Sequence, residues 1–209
     1  MPVVPASRAE QKERTRRAIL DAALRLTEDS GLGGLSLRGV TKEVGIVPTA
    51  FYRHFDSIED LGLALVEEAL VSLRTLLREV RRPGVTGGAT AIADDSVRVL
   101  VEHVLEHRDH FRFLARERSS GPAPVREAIR REIELNEHEL ATDLARLAGS
   151  DRWTAEDLRV LSRMIVAIMV RAAEDVLALR PEHQATLIAR VRTELRMLLV
   201  GALNWRSTP

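Results

Sequence analysis

From Thr49 to His54 the chain reads Thr-Ala-Phe-Tyr-Arg-His, and Thr49, Tyr52, Arg53 and His54 can all donate hydrogen bonds to an anion. Donors at this density suit a nucleic-acid backbone, where they fix register. The small side chains of Thr49 and Ala50 suit close approach to base edges in a major groove. Arg53 can contact phosphate or guanine. Two further groups carry chemistry. His103, Glu106 and His107 form H-x-x-E-H, a spacing that in inverted zinc peptidases puts two imidazoles on one helix face with a glutamate near the metal-bound water. Phe111, Arg112, Phe113 and Arg116, with Met164, Ile168 and Met169 later in the chain, combine adaptable apolar side chains with guanidinium forks. An apolar tunnel with an anion-holding mouth needs that combination.

Each pattern has a plainer explanation. Methionine and phenylalanine stripes are more often core than cavity, and Arg112 and Arg116 are more often surface partners of Asp109 and Glu117. Histidines four residues apart arise by chance on solvated helix faces. No further metal ligand can be named for His103 and His107, so no metal site, no catalytic residue and no cofactor are expected. A zinc-dependent hydrolase is kept only as the enzyme alternative. G-x-S-x-G, P-loop and Gly-rich dinucleotide motifs are all missing from the sequence.

The donors need a frame, and Leu35 to Phe55 supplies one. Ser36 can cap a short helix whose apolar positions Leu37, Val40 and Val44 recur at spacings of three and four. Gly45 ends it, Ile46 plugs the gap, and Pro48 suits the first turn of a second helix expected from about Pro48 to His54. With Phe51 and Phe55 facing inward, Thr49, Ala50, Tyr52, Arg53 and His54 face out. Helix, glycine turn, helix is the outline of a DNA-reading helix-turn-helix.

LSLRGVTKEVGIVPTAFYRHFDSIEDL resembles the DNA-binding segment of TetR-family transcriptional regulators, most specifically in G-I-x-P-x-x-F-Y-R-H-F. QKERTRRAILDAAL before it, DLGLALVEE after it and FRFLARERSSG downstream resemble the FabR and DesT branch, which controls unsaturated fatty-acid synthesis. The resemblance implies a homodimeric repressor of lipid-metabolism genes. It implies base reading by Thr49 and Ala50 with Arg38, and backbone contacts from Ser36, Tyr52, Arg53 and His54. It also implies a palindromic operator as partner, and long-chain acyl-CoA as effector in a pocket built from Phe111, Arg112, Phe113, Arg116, Met164, Ile168 and Met169. The alternative effector is a hydrophobic drug or another small molecule. The sequence departs from the family pattern at Gly39, at Val47, where Ser or Thr often caps the recognition helix, and at Asp56, where a lysine is common.

Composition sets the outer bounds. The 209 residues contain 31 basic and 31 acidic side chains, so DNA affinity has to come from distribution rather than net charge. Arg8, Lys12, Arg14, Arg16 and Arg17 cluster before the motif, interleaved with Glu10 and Glu13. Cysteine is absent, which rules out disulfides and thiolate metal sites. The apolar run Met164 to Val170 is far below the roughly 20 residues that cross a bilayer, so no membrane association and a cytoplasmic location are expected.

Periodicity argues for an all-α fold: a three-helix head over residues 1–56, then a helical ligand-binding and dimerisation bundle over 57–209. Ser7 and Glu10 have capping-box spacing, which starts a first helix ending by Gly31. Leu61, Leu65, Ala69, Leu73 and Leu76 mark one face of a long helix joining head to bundle. Breakers at Arg81 to Gly88 and at Gly149-Ser150 separate the later helices. The last two, Thr154 to Arg180 and Pro181 to about Trp205, are apolar over most of their circumference, and pairing with their copies in a second subunit would bury the surplus.

Overall fold

The computed structural model describes residues 7–80, 89–146 and 152–207, and these form helices and their connecting turns. The loop expected at Arg81 to Gly88, the break at Gly149-Ser150 and the frayed start at residues 1–6 lie outside the described residues. No helix among the described residues is long and apolar enough to cross a membrane.

Local chemistry sets the first boundaries. The Ser7 N–H donates to Glu10 Oε2 at 2.7 Å and Ser7 Oγ accepts from the Glu10 N–H at 3.2 Å, a reciprocal cap that starts α1 (Arg8–Ser30). After a short 3₁₀ turn (Leu32–Gly34), Ser36 caps α2 (Leu37–Val44) through the Gly39 N–H at 3.1 Å. Gly45 adopts the left-handed conformation, φ 75°, and the N–H groups of Gly45 and Ile46 both donate to the Thr41 carbonyl at 3.0 Å. α3 (Pro48–Phe51) follows. It is shorter than the helix expected to His54, because after Phe51 the backbone tightens into i→i+3 bonds, Arg53 to Ala50 and His54 to Phe51.

The long helix α4 (Ile58–Val80) leads to α5 (Ala89–Glu106), α6 (Arg108–Ser120), α7 (Ala123–Ala145), α8 (Ala155–Ala178) and α9 (Pro181–Asn204). α7 packs on α8, α5 on α9, and α4 crosses α5, α6 and α7. The head does not have a core of its own. Ile19, Val40, Phe51 and Phe55 belong to one buried cluster with Leu61, Leu65 and Ala69 of α4, Phe113 and Leu114 of α6, and Val125 and Ile129 of α7. A second cluster joins α5, α8 and α9 through Val97, Val104, Val176 and Val191.

Polar contacts reinforce the seam between head and bundle. The Leu32 N–H donates to Glu117 Oε1 at 2.8 Å, deep in the protein, and Arg116 Nη1 donates to the Glu28 carbonyl at 2.9 Å. On the bundle side, Arg74 holds buried Glu132 through two bonds of 2.9 Å, and this raises the Arg74 pKa.

α4 can approach this seam only because Gly62 has no side chain. A Cβ built there would lie 2.2 Å from Leu32 Cδ2, and Leu32 is buried on all sides. Gly62→Ala should therefore destabilise the fold by about 1–3 kcal/mol despite alanine's better helix propensity. Gly33→Ala, with nothing within 4 Å of its Cβ, should be near neutral. Urea denaturation of the two variants checks this, and equal midpoints would refute it.

Candidate nucleic-acid interface and effector cavity

Phe51 and Phe55 sit four residues apart at the end of the motif and are 0% and 2% exposed. Their rings tilt against each other at 5.8 Å. That burial fixes the facing of the side chains between and around them: Thr49, Tyr52 and Arg53 are exposed, Tyr52 to 55%, and Ala50 and His54 are half-buried. Ser36 and Arg38 are exposed on the preceding turn and helix, and Ser36 Oγ already accepts the Gly39 N–H. His54 is thus less outward than the sequence implies, since its Nδ1 is buried and has no hydrogen-bond partner among the described residues.

The basic cluster of α1 divides by role. Arg16 lies over the Phe55 ring, its guanidinium carbon 4.3 Å from the centroid, and donates from Nη1 to the His54 carbonyl at 3.0 Å. Arg17 is held by Glu68 of α4 and by Asp21 at 2.9 Å, so it braces α1 on α4. Lys12 is exposed and, with Arg16 and Arg53, acts electrostatically on His54. The bracing role of Arg16 had no local signal, because its partners are 38 or more residues away in sequence.

Burial first, then these three cations, push the His54 imidazole below its ordinary pKa of 6.5. At neutral pH it is an uncharged ring that can offer a hydrogen bond. His110, on α6, is lowered in the same way, chiefly by burial, and Glu68 opposes the shift.

A cavity of about 800 Å³ with a mostly apolar wall is enclosed by all six helices from α4 to α9. Phe111 and Met169, both expected to hold ligand, line it. Leu70, Ile133, Leu161 and Trp153 line it too, and none of these was singled out from the sequence. The other expected ligand residues fall elsewhere. Phe113 is buried in the core shared with the head, Arg112 is exposed, and Arg116 is turned toward the end of α1. Met164 is 48% exposed on the outer face of α8, and Ile168 packs on the second core cluster. The reason is helical phase: on α6, positions 111, 114, 115 and 118 face the cavity, which turns 112, 113 and 116 away from it.

Charges at the cavity are paired. Arg118 donates to Glu174 at 2.6 Å, Arg146 to Asp143 at 3.3 Å, and Arg98 bonds both Asp95 and Glu102.

The outer faces of α8 and α9 carry Val160, Met164, Met197 and Val200 exposed, Met197 to 71%; Trp205, just past the end of α9, is exposed too, and so is Leu203, which also lines the cavity. The second apolar stripe of α8 therefore divides, with Val160, Met164 and Ala167 outward and Met169 and Val170 on the cavity wall.

His103, Glu106 and His107 come together at the end of α5, where one ligand atom from each lies within 4.8 Å of the others. His103 is buried, so this is not wholly the solvated face that the spacing suggests.

Residues 19–65 match the family model for bacterial regulatory proteins of the tetR family. About nine tenths of the chain shares its fold with solved regulators of that kind. A transcriptional regulator of the TerR/AcrR family from Aquifex aeolicus superposes with a TM-score of 0.68 at 18% identity, over 88% of this chain and 99% of that one. A TetR-family transcriptional regulator from Streptomyces coelicolor gives 0.68 at 19%, over 90% and 96%. The fatty acid degradation regulator FadR from Bacillus halodurans gives 0.66 at 16%, over 92% and 97%.

The histidine environments give a measurable consequence. The unfolded imidazoles bind protons more readily than the folded ones, so the stability present above about pH 6.5 is lost as pH falls through 6.5 toward the folded values. In nuclear magnetic resonance titrations His54 and His110 should both show pKa values below 6.5, and His54→Gln should flatten the acid side of the stability profile. A His54 titration at or above 6.5 contradicts the assigned burial.

Proposed function

We propose that this chain is a DNA-binding transcriptional repressor of the tetR family that acts as a homodimer on a palindromic operator and releases or grips it in response to an apolar effector. The observation that carries this reading is the exposure of Tyr52 and Arg53 on a turn whose neighbours Phe51 and Phe55 are wholly buried, within the segment that matches the family model. The Tyr52 ring meets Phe51 edge to face at 5.7 Å yet stays 55% exposed, so packing occupies only part of it. Its hydroxyl and ring suit a phosphate and sugar.

In this reading Thr49, Ala50 and Arg38 read bases, while Ser36, Tyr52, Arg53 and His54 position the backbone, joined by Lys12. The exposed apolar strip from Val160 to Trp205 supplies an isologous contact that sets two heads apart by the two-fold symmetry of the operator.

The effector enters the cavity enclosed by the six helices of the bundle. A volume of about 800 Å³ falls in the size range of small-molecule sites. α6 links it to the head, because Phe111, Leu114, Ala115 and Arg118 line the cavity and Arg116 and Glu117 hold the end of α1 and the turn after it. A ligand that shifts α6 pulls directly on the head.

For the effector itself, long-chain acyl-CoA of lipid metabolism is favoured by the apolar wall and by the fold shared with a fatty acid degradation regulator. The pairing of Arg118 with Glu174 and of Arg146 with Asp143 favours the second reading, a hydrophobic drug without phosphates, since an anionic head must displace a carboxylate to reach either guanidinium.

Tyr52→Ala should weaken binding to every sequence in a randomised operator library by a similar factor, whereas Arg38→Ala should relax preference at particular base pairs, each base contact being worth about 1–3 kcal/mol. Met197→Glu should convert a sedimenting dimer to monomer and lose operator binding with it. Unchanged DNA affinity in Tyr52→Ala would remove the basis of the reading. Native mass spectrometry of the purified protein should recover an acyl-CoA, and recovery of a phosphate-free aromatic or cationic compound selects the second effector instead.

A further inference from the structure

The geometry points to a site for a divalent transition-metal ion of the zinc, cobalt or nickel type, built from His103, Glu106 and His107 at the joint between α5 and α6. Two neutral imidazoles and one carboxylate form a donor set for such an ion, and three protein ligands leave a fourth position to water. One ligand atom from each residue already lies within 4.8 Å of the other two. Bonds of about 2.0–2.1 Å at tetrahedral angles require separations of roughly 3.4 Å, a closure within reach of side-chain rotation. The His103 and His107 rings lie 4.5 Å apart between centroids, tilted by 52°, and the His107 backbone N–H donates to the His103 carbonyl at 3.0 Å, so the pair is held one helical turn apart. Glu106 is exposed and can swing to complete the set.

The surroundings hold both rings. His103 is buried and meets the edge of Phe111 at 5.9 Å. His107 is half-buried, and the His110 ring stacks beside it at 6.2 Å and 12°. His110 is in turn fixed to α4, its Nδ1 3.4 Å from Ser72 Oγ and its Nε2 3.8 Å from Glu68 Oε1. The burial of His103 and the exposure of Glu106 place the ion near the surface, where it can load and leave.

The position gives the ion something to do. His107 has φ −111° and ψ 38°, outside helical geometry, and is the residue at which α5 stops and α6 begins. An ion joining His103 to His107 fixes the direction in which α6 leaves α5. α6 then carries Phe111 to the cavity and Arg116 and Glu117 to the head. Metal occupancy is thus a second input to the same helix, separate from the apolar cavity. The site stands on its own geometry, and only its effect on DNA rests on the proposed function.

Untagged protein, stripped with chelator and dialysed, is titrated with Co(II), whose visible absorption reports ligand number and type. One Co(II) per chain should bind with the absorption of a tetrahedral nitrogen and oxygen site, and Zn(II) should displace it. Glu106→Gln and His107→Ala should each weaken binding by about tenfold or more, with circular dichroism confirming that the helices persist. Zn(II) should slow hydrogen exchange of backbone amides around residues 104–116, a readout that involves no DNA. Absence of saturable Co(II) absorption in the wild type, wild-type affinity retained in both variants, or exchange slowed only elsewhere would each overturn the assignment. Glu106 is exposed, so its variant keeps the test decisive if His107→Ala unfolds.

Discussion

Burial of Phe51 and Phe55 is the constraint from which the rest of the head follows. Two aromatic rings four residues apart can both be inside only if the turn between them lies against the core along one edge, and that forces Tyr52 and Arg53 outward. Burying a phenylalanine side chain stabilises by about 1.5–3 kcal/mol, so the two together outweigh the about 0.5–1.5 kcal/mol net of a typical hydrogen bond that would favour another facing. Arg16 completes the arrangement, covering Phe55 with its guanidinium and tying down the His54 carbonyl. The exposed donors are therefore held by their buried neighbours, on a short helix that has no side-chain cap of its own and on the turn that follows it.

The same core extends past the head. Because Phe51 and Phe55 share a cluster with α4, α6 and α7, the head cannot shift without disturbing the start of the bundle. Polar contacts at the seam add direction to that coupling: Glu117 and Arg116, consecutive on α6, reach two different parts of the head, one accepting the Leu32 N–H and the other donating to the Glu28 carbonyl. Glu117 Oε2 is buried with no hydrogen-bond partner among the described residues. A carboxylate satisfied on one side only holds the seam less firmly than a complete network would.

Charge is placed with similar economy. The chain is neutral in sum, and many of its guanidinium groups are engaged with carboxylates: Arg74 with Glu132 and Glu67, Arg118 with Glu174, Arg196 with Asp94, Arg190 with Asp175. Among the described residues Lys12, Arg38 and Arg53 form no ion pair, and all three are exposed on the head. A neutral protein can in this way present a positive face.

Helix existence and most helix ends were legible in the sequence, because they depend on contacts within three or four residues: Ser7 with Glu10, Ser36 with Gly39, Thr154 with Asp157, and the left-handed Gly45. The facing of Phe51, Tyr52, Arg53 and Phe55 was legible too, since helical period alone sorts them. What periodicity could not supply was the choice between two apolar surroundings. Phe111 and Phe113 differ by two positions on one short helix, yet one reaches the cavity and the other the shared core, and Arg116 turns to the head instead of a ligand. That choice depends on where α6 sits between α1, α4, α7 and α8, and so on packing between segments up to 89 residues apart in the chain. Local chemistry therefore determined the helices and their inward faces, while only long-range packing decided which buried side chains meet a neighbour and which meet open space.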